Sequence, residues 1–162
     1  MSRDRGAPMS VLINTPTEPN PLAVPGAALW RAVRPLVVVA EDSQDERTMI
    51  GTMLGFLGYD VVLAVDGLDA LDAVFIHGPD AVVCDMDMPN LDGLGLCRAL
   101  RALRANQTLP IIVYTGAENG DPRVGDARAL HGAEIVGKSL SVTKLGEVLG
   151  QMLTVAGGSA AA

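Results

Sequence analysis

The sequence has little positive charge and few aromatic side chains. Its 162 residues carry 12 basic against 19 acidic residues, a net charge of −7, and only two basic residues are lysines, Lys138 and Lys144. A nucleic-acid surface needs a concentrated basic face, and this balance argues against one. No apolar run approaches the roughly 20 residues of a membrane helix. We therefore expect no DNA and no membrane among the partners.

Cysteine is also scarce, and we expect no secretory signal at the N-terminus. Two cysteines do not make a disulfide framework. Cys84 lies in an apolar run and Cys97 in a helical pattern, so both are predicted to be reduced and buried, as in a cytoplasmic protein. The apolar stretch at residues 11–13 is too short for the core of a signal peptide.

The distribution of proline divides the chain into three segments. Six of the ten prolines lie in the first 35 residues, which predicts an irregular N-terminal extension over 1–34, with one short helical turn at 27–33 around Trp30. The chain is 49% hydrophobic, enough to bury a core. A folded domain is predicted over 35–154, followed by a glycine- and alanine-rich flexible tail over 155–162.

Within the predicted domain, short apolar runs alternate with helical patterns. The first and fourth runs lack polar alternation, which is typical of strands covered on both faces of a parallel sheet. The strands are predicted at Leu36–Ala40, Val61–Val65, Ala81–Cys84, Ile111–Tyr114 and Ile135–Gly137. The resulting α/β architecture is a doubly wound (βα)5 fold with a five-stranded parallel sheet of order 2-1-3-4-5.

Local signals place the ends of several helices. Ser43 and Glu46 have the spacing of a capping box at the start of the first helix, which is expected to stop near Gly58. The fourth helix is predicted to begin after Asp121 and to stop at Gly132, and the fifth to begin near Ser141.

Polar residues follow the predicted strands at their carboxyl ends, where such a sheet binds ligands. Clustered carboxylates repel one another, and a hard divalent cation relieves that repulsion. Few ligands, all oxygens, in an open site suit Mg²⁺. A hydroxyl and an ammonium group beside that ion can hold a transferring phosphoryl group, with an aspartate as nucleophile. The residues are Glu41, Asp42, Asp85, Thr115 and Lys138.

These motifs resemble those of bacterial response-regulator receiver domains, which have a flavodoxin-like fold. The resemblance covers about residues 36–153 and rests on five segments in the right order: VVVAEDS, GYDVVLAVDGLDAL, PDAVVCDMDMPNLDG, LPIIVYTG and GAEIVGK. It implies a phosphoprotein of two-component signal transduction that receives its phosphoryl group from a histidine kinase or histidine phosphotransferase. Beyond its own phosphorylation and dephosphorylation it would catalyse nothing.

The resemblance also assigns roles residue by residue. Asp85 matches the phosphorylated aspartate and Asp42 the direct metal ligand. Glu41 matches an acidic residue that acts on the metal through water, and the backbone carbonyl of Asp87 matches the third protein ligand. The remaining matches are Thr115, the switch hydroxyl, Lys138, the phosphate-contacting lysine, and Gly116, a small residue that keeps the site open.

Two positions depart from the family pattern. Ser139 follows Lys138 where the family usually has a proline in a cis peptide, so a trans bond is expected here. Ile135 occupies the switch position that usually carries Tyr or Phe, and an aliphatic chain cannot make the ring rotation of the usual switch. We therefore expect the phosphorylation site to follow the family more closely than the output surface does.

Three functions remain open from the sequence. The leading one is a stand-alone phosphoacceptor that signals by protein–protein contacts, as expected if only nine residues follow Leu153. The second is a haloacid-dehalogenase-like phosphatase, which also forms an aspartyl phosphate, although the Asp85-x-Asp87 pair follows the third strand rather than the first. The third is a degenerate receiver that serves only for interaction or dimerisation, and a homodimer is left open.

Overall fold

The structure, a computed structural model, describes residues 11–13, 34–116, 120–130 and 132–159. The helical turn predicted at 27–33 lies outside these residues. In the described part of the chain, six strands accompany five helices and a short 3₁₀ turn at Arg104–Asn106. The strands are β1 (Val11–Ile13), β2 (Leu36–Ala40), β3 (Asp60–Ala64), β4 (Ala81–Cys84), β5 (Ile111–Thr115) and β6 (Ala133–Gly137). The helices are α1 (Gln44–Phe56), α2 (Gly67–His77), α3 (Gly93–Ala102), α4 (Pro122–Arg128) and α5 (Val142–Ser159).

The sheet has the predicted order. Its strands run β1-β3-β2-β4-β5-β6, and the five strands from β2 onward are parallel to one another. Numbered along the chain, those five have the order 2-1-3-4-5, so the predicted doubly wound α/β fold is confirmed. The register places the last residues of neighbouring strands at the same level, with Ala40 opposite Cys84 and Thr115 opposite Gly137.

Each face of the sheet carries its own core. On one face, β-strand side chains such as Val37 and Val39 pack with Ile50 of α1 and Leu145 of α5. On the other face, a second cluster joins the strands to α2, α3 and α4. Both cysteines belong to this second cluster and are free thiols, as predicted. The strands are therefore continuous apolar runs because both of their faces are buried, as predicted.

One strand was not predicted. β1 pairs antiparallel with β3, with Val11 opposite Leu63 and Ile13 opposite Val61, and lies within the N-terminal extension expected to be irregular. Its three residues are too few for a periodic pattern to stand out in a sequence. β1 satisfies backbone groups of β3 that the edge of a five-stranded sheet would leave unpaired.

Two helix ends differ from the expected positions. α4 ends at Arg128 rather than Gly132, because Gly132, with φ of +72°, instead makes the turn into β6. α5 continues to Ser159, into the segment 155–162 for which a flexible tail is predicted. Glycine lowers helix propensity by only about 1 kcal/mol, so the two glycines at 157 and 158 do not by themselves end a long helix.

The described helices include none that is long and apolar enough to cross a membrane.

Candidate functional site

The carboxyl ends of the parallel strands bring the predicted site residues together. Glu41 directly follows β2, Asp85 follows β4, and Lys138 follows β6, while Thr115 is the last residue of β5. These strands are neighbours in register, so residues distant in sequence meet at one edge. The side chain of Asp87 is directed to Arg123, as described below.

Three carboxylates form the acidic part of the site. One oxygen from each of Glu41, Asp42 and Asp85 lies within 4.8 Å of the others. Glu41 is 2% exposed and Asp85 9%, whereas Asp42 is open to solvent. Carboxylate oxygens with one open side suit a hard, partly hydrated cation, so the donor set fits Mg²⁺ better than a softer metal.

Glu41 has a partner on each of its oxygens. The backbone N–H of Ser43 donates to Oε1 at 3.2 Å, and Lys138 Nζ donates to Oε2 at 2.8 Å. Burial raises the pKa of Glu41, and the nearby charge of Asp85 adds to this, although both hydrogen bonds oppose it. The acidic cluster is therefore held together by cationic and backbone donors.

Lys138 is the principal cation of the site. Its Nζ donates to Glu41 Oε2 at 2.8 Å, to Glu46 Oε2 at 2.5 Å and to Asp85 Oδ2 at 3.3 Å. Burial disfavours the ammonium charge, but the hydrogen bonds to Glu41 and Glu46 and the charge of Asp85 outweigh this and raise the pKa of Lys138. Lys138 is therefore charged at neutral pH and adjacent to Asp85.

Backbone contacts position Asp85 and the residues after it. The Asp85 N–H donates to the Ala40 carbonyl at 3.0 Å, and the Met86 N–H donates to Asp85 Oδ1 at 2.7 Å. The first residue of α3, Gly93, donates its N–H to the Met86 carbonyl at 2.9 Å. A Cβ on Gly93 would lie 2.2 Å from the Asp85 carbonyl oxygen, so the close approach of α3 to the site requires glycine.

Thr115 and the β6–α5 loop close the other side. Thr115 is 1% exposed, and its carbonyl accepts the Lys138 N–H at 2.8 Å, which ties the loop to β5. At Gly116 a Cβ would meet no atom within 4 Å, so the space beside Thr115 is open. Residues 34–116, 120–130 and 132–159 contain no cis peptide, so the Lys138–Ser139 bond is trans as expected.

Asp87 and Ile135 lie at the margin of the site. The Asp87 carboxylate is exposed and accepts from Arg123 Nη1 of α4 at 2.7 Å, and Arg123 also binds Asp121 at 2.7 Å. The role of the Asp87 carbonyl as a metal ligand stays a prediction. Ile135 lies opposite Val113 and packs, half-buried, against the cluster beneath α2, α3 and α4.

Two contributors to the site were missed at the sequence level. Glu46 contributes a carboxylate to Lys138, but its spacing from Ser43 indicated only a helix cap. Gly93 is the last residue of the segment PDAVVCDMDMPNLDG. A glycine at the start of a helix does not by itself indicate which backbone atoms it contacts. The Asp-Gly pair was the available signal, since Asp92 caps α3 by accepting from the Gly95 N–H at 2.7 Å.

Comparisons with known proteins agree with this geometry. A family model described as the response regulator receiver domain matches residues 37–149. The response regulator MprA of Mycobacterium sp. (strain KMS) is 43% identical over 88 residues. That stretch covers 54% of this chain but only 37% of MprA.

Solved structures of receiver domains share the fold of this chain. The receiver domain of the sensor histidine kinase PA1611 from Pseudomonas aeruginosa PAO1, which has a magnesium ion coordinated in its active site cleft, is 27% identical, with a TM-score of 0.68 over 75% of this chain and 98% of that one. The receiver domain of Francisella response regulator 1452 shares the fold, with 24% identity and a TM-score of 0.68 over 76% of this chain and 99% of that one.

The family match favours a receiver domain over a haloacid-dehalogenase-like phosphatase. Asp85 follows β4, the third of the parallel strands along the chain, whereas the phosphatase pattern places its aspartate pair after the first strand. Receiver domains are signalling modules, typically without enzymatic activity, and the family receives phosphoryl groups from histidine kinases. The chain belongs to the response regulator receiver domain family of two-component signalling, with an acidic cluster consistent with a Mg²⁺-dependent phosphoacceptor site.

Proposed function

We propose that Asp85 accepts a phosphoryl group from a histidine kinase or a histidine phosphotransferase. The observation that carries this proposal is the placement of Asp85 between two other carboxylates and the Lys138 ammonium group. Asp85 is 9% exposed, so a phosphodonor can approach only from the open edge of the sheet. Aspartate at such a position acts as a nucleophile whose product is a mixed anhydride.

In the transfer, one Asp85 carboxylate oxygen forms a bond to phosphorus. The bond between phosphorus and the donor imidazole nitrogen breaks, and its electron pair stays with the imidazole. The reaction gains most from positioning and charge stabilisation, because the transition state spreads negative charge over the phosphoryl oxygens. Apart from this self-phosphorylation and the hydrolysis of the aspartyl phosphate to aspartate and inorganic phosphate, we expect no catalysis by the chain.

A Mg²⁺ ion would be held by Glu41, Asp42, Asp85 and the Asp87 backbone carbonyl, with Glu41 acting through water. When bound, it neutralises charge on the phosphoryl oxygens and on the carboxylates around them. Lys138 then provides the second positive charge, and the Thr115 hydroxyl provides a hydrogen bond. Thr115 ends β5 and Lys138 follows β6, so both residues link the phosphorylated state to that side of the domain.

The signal is proposed to leave through protein–protein contacts in the cytoplasm. Thr115 and Ile135 form the switch position. Ile135 packs against the core beneath α4, so a shift of Thr115 reaches α4 and β6 through packing rather than through ring rotation. The downstream target would bind this surface, and a homodimer is one form that such contact can take.

The test is phosphorylation by a small phosphodonor. The protein is incubated with acetyl phosphate and Mg²⁺, and the intact mass is measured. We expect one added phosphoryl group, lost in Asp85→Asn and when Mg²⁺ is chelated. Asp72→Asn is the matched control, since it changes an exposed carboxylate on α2 that is not among the candidate site residues. Equal addition to Asp85→Asn, or none to the unaltered protein, would contradict the proposal.

A further inference from the structure

Glu46 lies in the phosphoacceptor site, although no motif assigns it a role there. It belongs to the first turn of α1, and its Oε2 accepts from Lys138 Nζ at 2.5 Å, a contact between residues 92 positions apart. Its side chain is 45% exposed, so it lies at the open rim of the site. Of the three carboxylates bound to Lys138, Glu46 is the one outside the acidic cluster of candidate metal ligands.

The start of α1 explains why Glu46 is available for this contact. In a complete capping box, Glu46 would accept from the Ser43 N–H, while Ser43 Oγ accepts from the Glu46 N–H. Only the second bond forms, at 3.4 Å. The Ser43 N–H donates instead to Glu41 Oε1 at 3.2 Å. Glu41 thus completes the cap, and the Glu46 carboxylate is directed across the site to Lys138.

The contacts of Lys138 set up a competition. Its single charge is shared among Glu41, Asp85 and Glu46. Contacts to Glu41 and Asp85 neutralise two carboxylates that a cation would otherwise bind. The contact to Glu46 neutralises no candidate ligand. An ammonium group held at Glu46 therefore leaves the metal ligands more negative than one held at Glu41 or Asp85.

We propose that Glu46 is a positioning residue that draws Lys138 towards the rim of the unphosphorylated site. When Lys138 lies at the rim, the acidic cluster keeps more negative charge and binds a cation more tightly. The Glu46 carboxylate also competes with the phosphoryl group for the Lys138 ammonium. This inference rests on the proposed function of Asp85 and adds to it a residue that sets the balance between the two states.

The two effects have opposite signs in one variant. In Glu46→Gln, Lys138 has only Glu41 and Asp85 as charged partners, so Mg²⁺ alone should bind about two- to five-fold more weakly. With Mg²⁺ saturating, beryllofluoride stands in for the phosphoryl group on Asp85 and should bind about two- to five-fold more tightly, because no rim carboxylate competes for Lys138. These factors correspond to a partly exposed ion pair.

The experiment titrates the whole chain with Mg²⁺, and then with beryllofluoride at saturating Mg²⁺, following amide chemical shifts. Glu46→Asp, which keeps the charge on a shorter side chain, should restore part of both affinities. Glu147→Gln is the matched control, since it breaks an exposed pair with Lys144 on α5 and should change neither. In a Lys138→Gln background, Glu46→Gln should no longer tighten beryllofluoride binding.

Each outcome is decisive. Opposite shifts of the two affinities support the inference. A parallel loss of both would mean that Glu46 only stabilises the start of α1, and no change in either would mean that its contact with Lys138 has no effect. Failure of the unaltered protein to bind beryllofluoride would overturn the proposed function itself and the competition with it. The Mg²⁺ titration would still decide the first effect.

Discussion

The two sides of the phosphoacceptor site are built differently. On the side that holds Asp85, all four residues of β4 are at most 1% exposed, and α3 buries apolar residues along its length. On the side of α4 and β6, the helix has seven residues and buries only Val124 and Ala127, and two of the five residues of β6 are buried. Exposed ion pairs join the two sides, from Arg98 to Asp126 and from Arg123 to Asp87.

This difference separates two requirements of a switch. The nucleophile must be held within tenths of an ångström, and close packing with direct backbone contacts achieves this. The responding surface must have a second conformation whose free energy differs from the first by only a few kcal/mol, so few of its contacts can be deeply buried. Three sets of variants test the contrast, from the largest expected effect to the smallest.

Alanine at Gly93 and at Gly125 should change stability in opposite directions. A Cβ at Gly93 would meet the Asp85 carbonyl at 2.2 Å, and backbone cannot move aside cheaply, so we expect a loss of about 3 kcal/mol. A Cβ at Gly125, within α4, would meet nothing within 4 Å, so alanine should add about 0.5–1 kcal/mol. Urea unfolding monitored by circular dichroism measures both. A loss at Gly125 would show that α4 is as tightly constrained as the Asp85 side.

Removing the same two methyl groups from each side should have unequal costs. Val82 of β4 is 0% exposed and Val124 of α4 is 2% exposed, and both belong to one core cluster. Val82→Ala should lower the free energy of unfolding by about 2.5 kcal/mol, because a central strand cannot collapse around the cavity. Val124→Ala should lose about 1.5 kcal/mol, close to the transfer free energy of the removed groups. Equal losses of unfolding free energy in the two variants would show that the two sides of the site are packed equally tightly.

The ion pairs across the site should contribute least to stability. Arg123→Gln breaks a contact to the exposed Asp87 and one to the partly exposed Asp121, so the unfolding free energy should stay close to that of the unaltered protein. Arg101→Gln is the comparison on the Asp85 side. Arg101 donates to the carbonyls of Asn106 and Leu109 at 2.7 Å, and its loss should cost about 1 kcal/mol. Unfolding at low and high salt measures both, and a large salt-dependent loss in Arg123→Gln would contradict the expectation.

Much of the fold and most of the candidate site could be predicted. The apolar runs at β2 and β5 indicated strands covered on both faces, and the polar residues after the strands indicated where a ligand would bind. Motif order then assigned Asp85, Thr115 and Lys138 to that edge. The cap residues Ser43 and Asp121 also begin the helices that they were expected to begin.

The failures share one physical cause, since local patterns do not specify long-range partners. Gly132 was predicted to end α4, whereas its positive φ forms the turn into β6, and its carbonyl accepts the N–H of Ile111 in β5. The pairing of β1 with β3 depends on an edge that exists only after folding. Glu46 has a local explanation as a helix cap, and only the folded chain gives it Lys138 as a partner.

The sequence by itself determined the alternation of strands and helices, the parallel sheet and the identity of the acidic residues, because burial and capping act on neighbours along the chain. Tertiary structure alone decided which carboxylates share the ammonium of Lys138 and how closely α3 approaches Asp85. It also decided that β1 pairs with β3, the outer strand of the parallel sheet. These features depend on distances between atoms far apart in sequence, and electrostatic and packing energies change steeply with such distances.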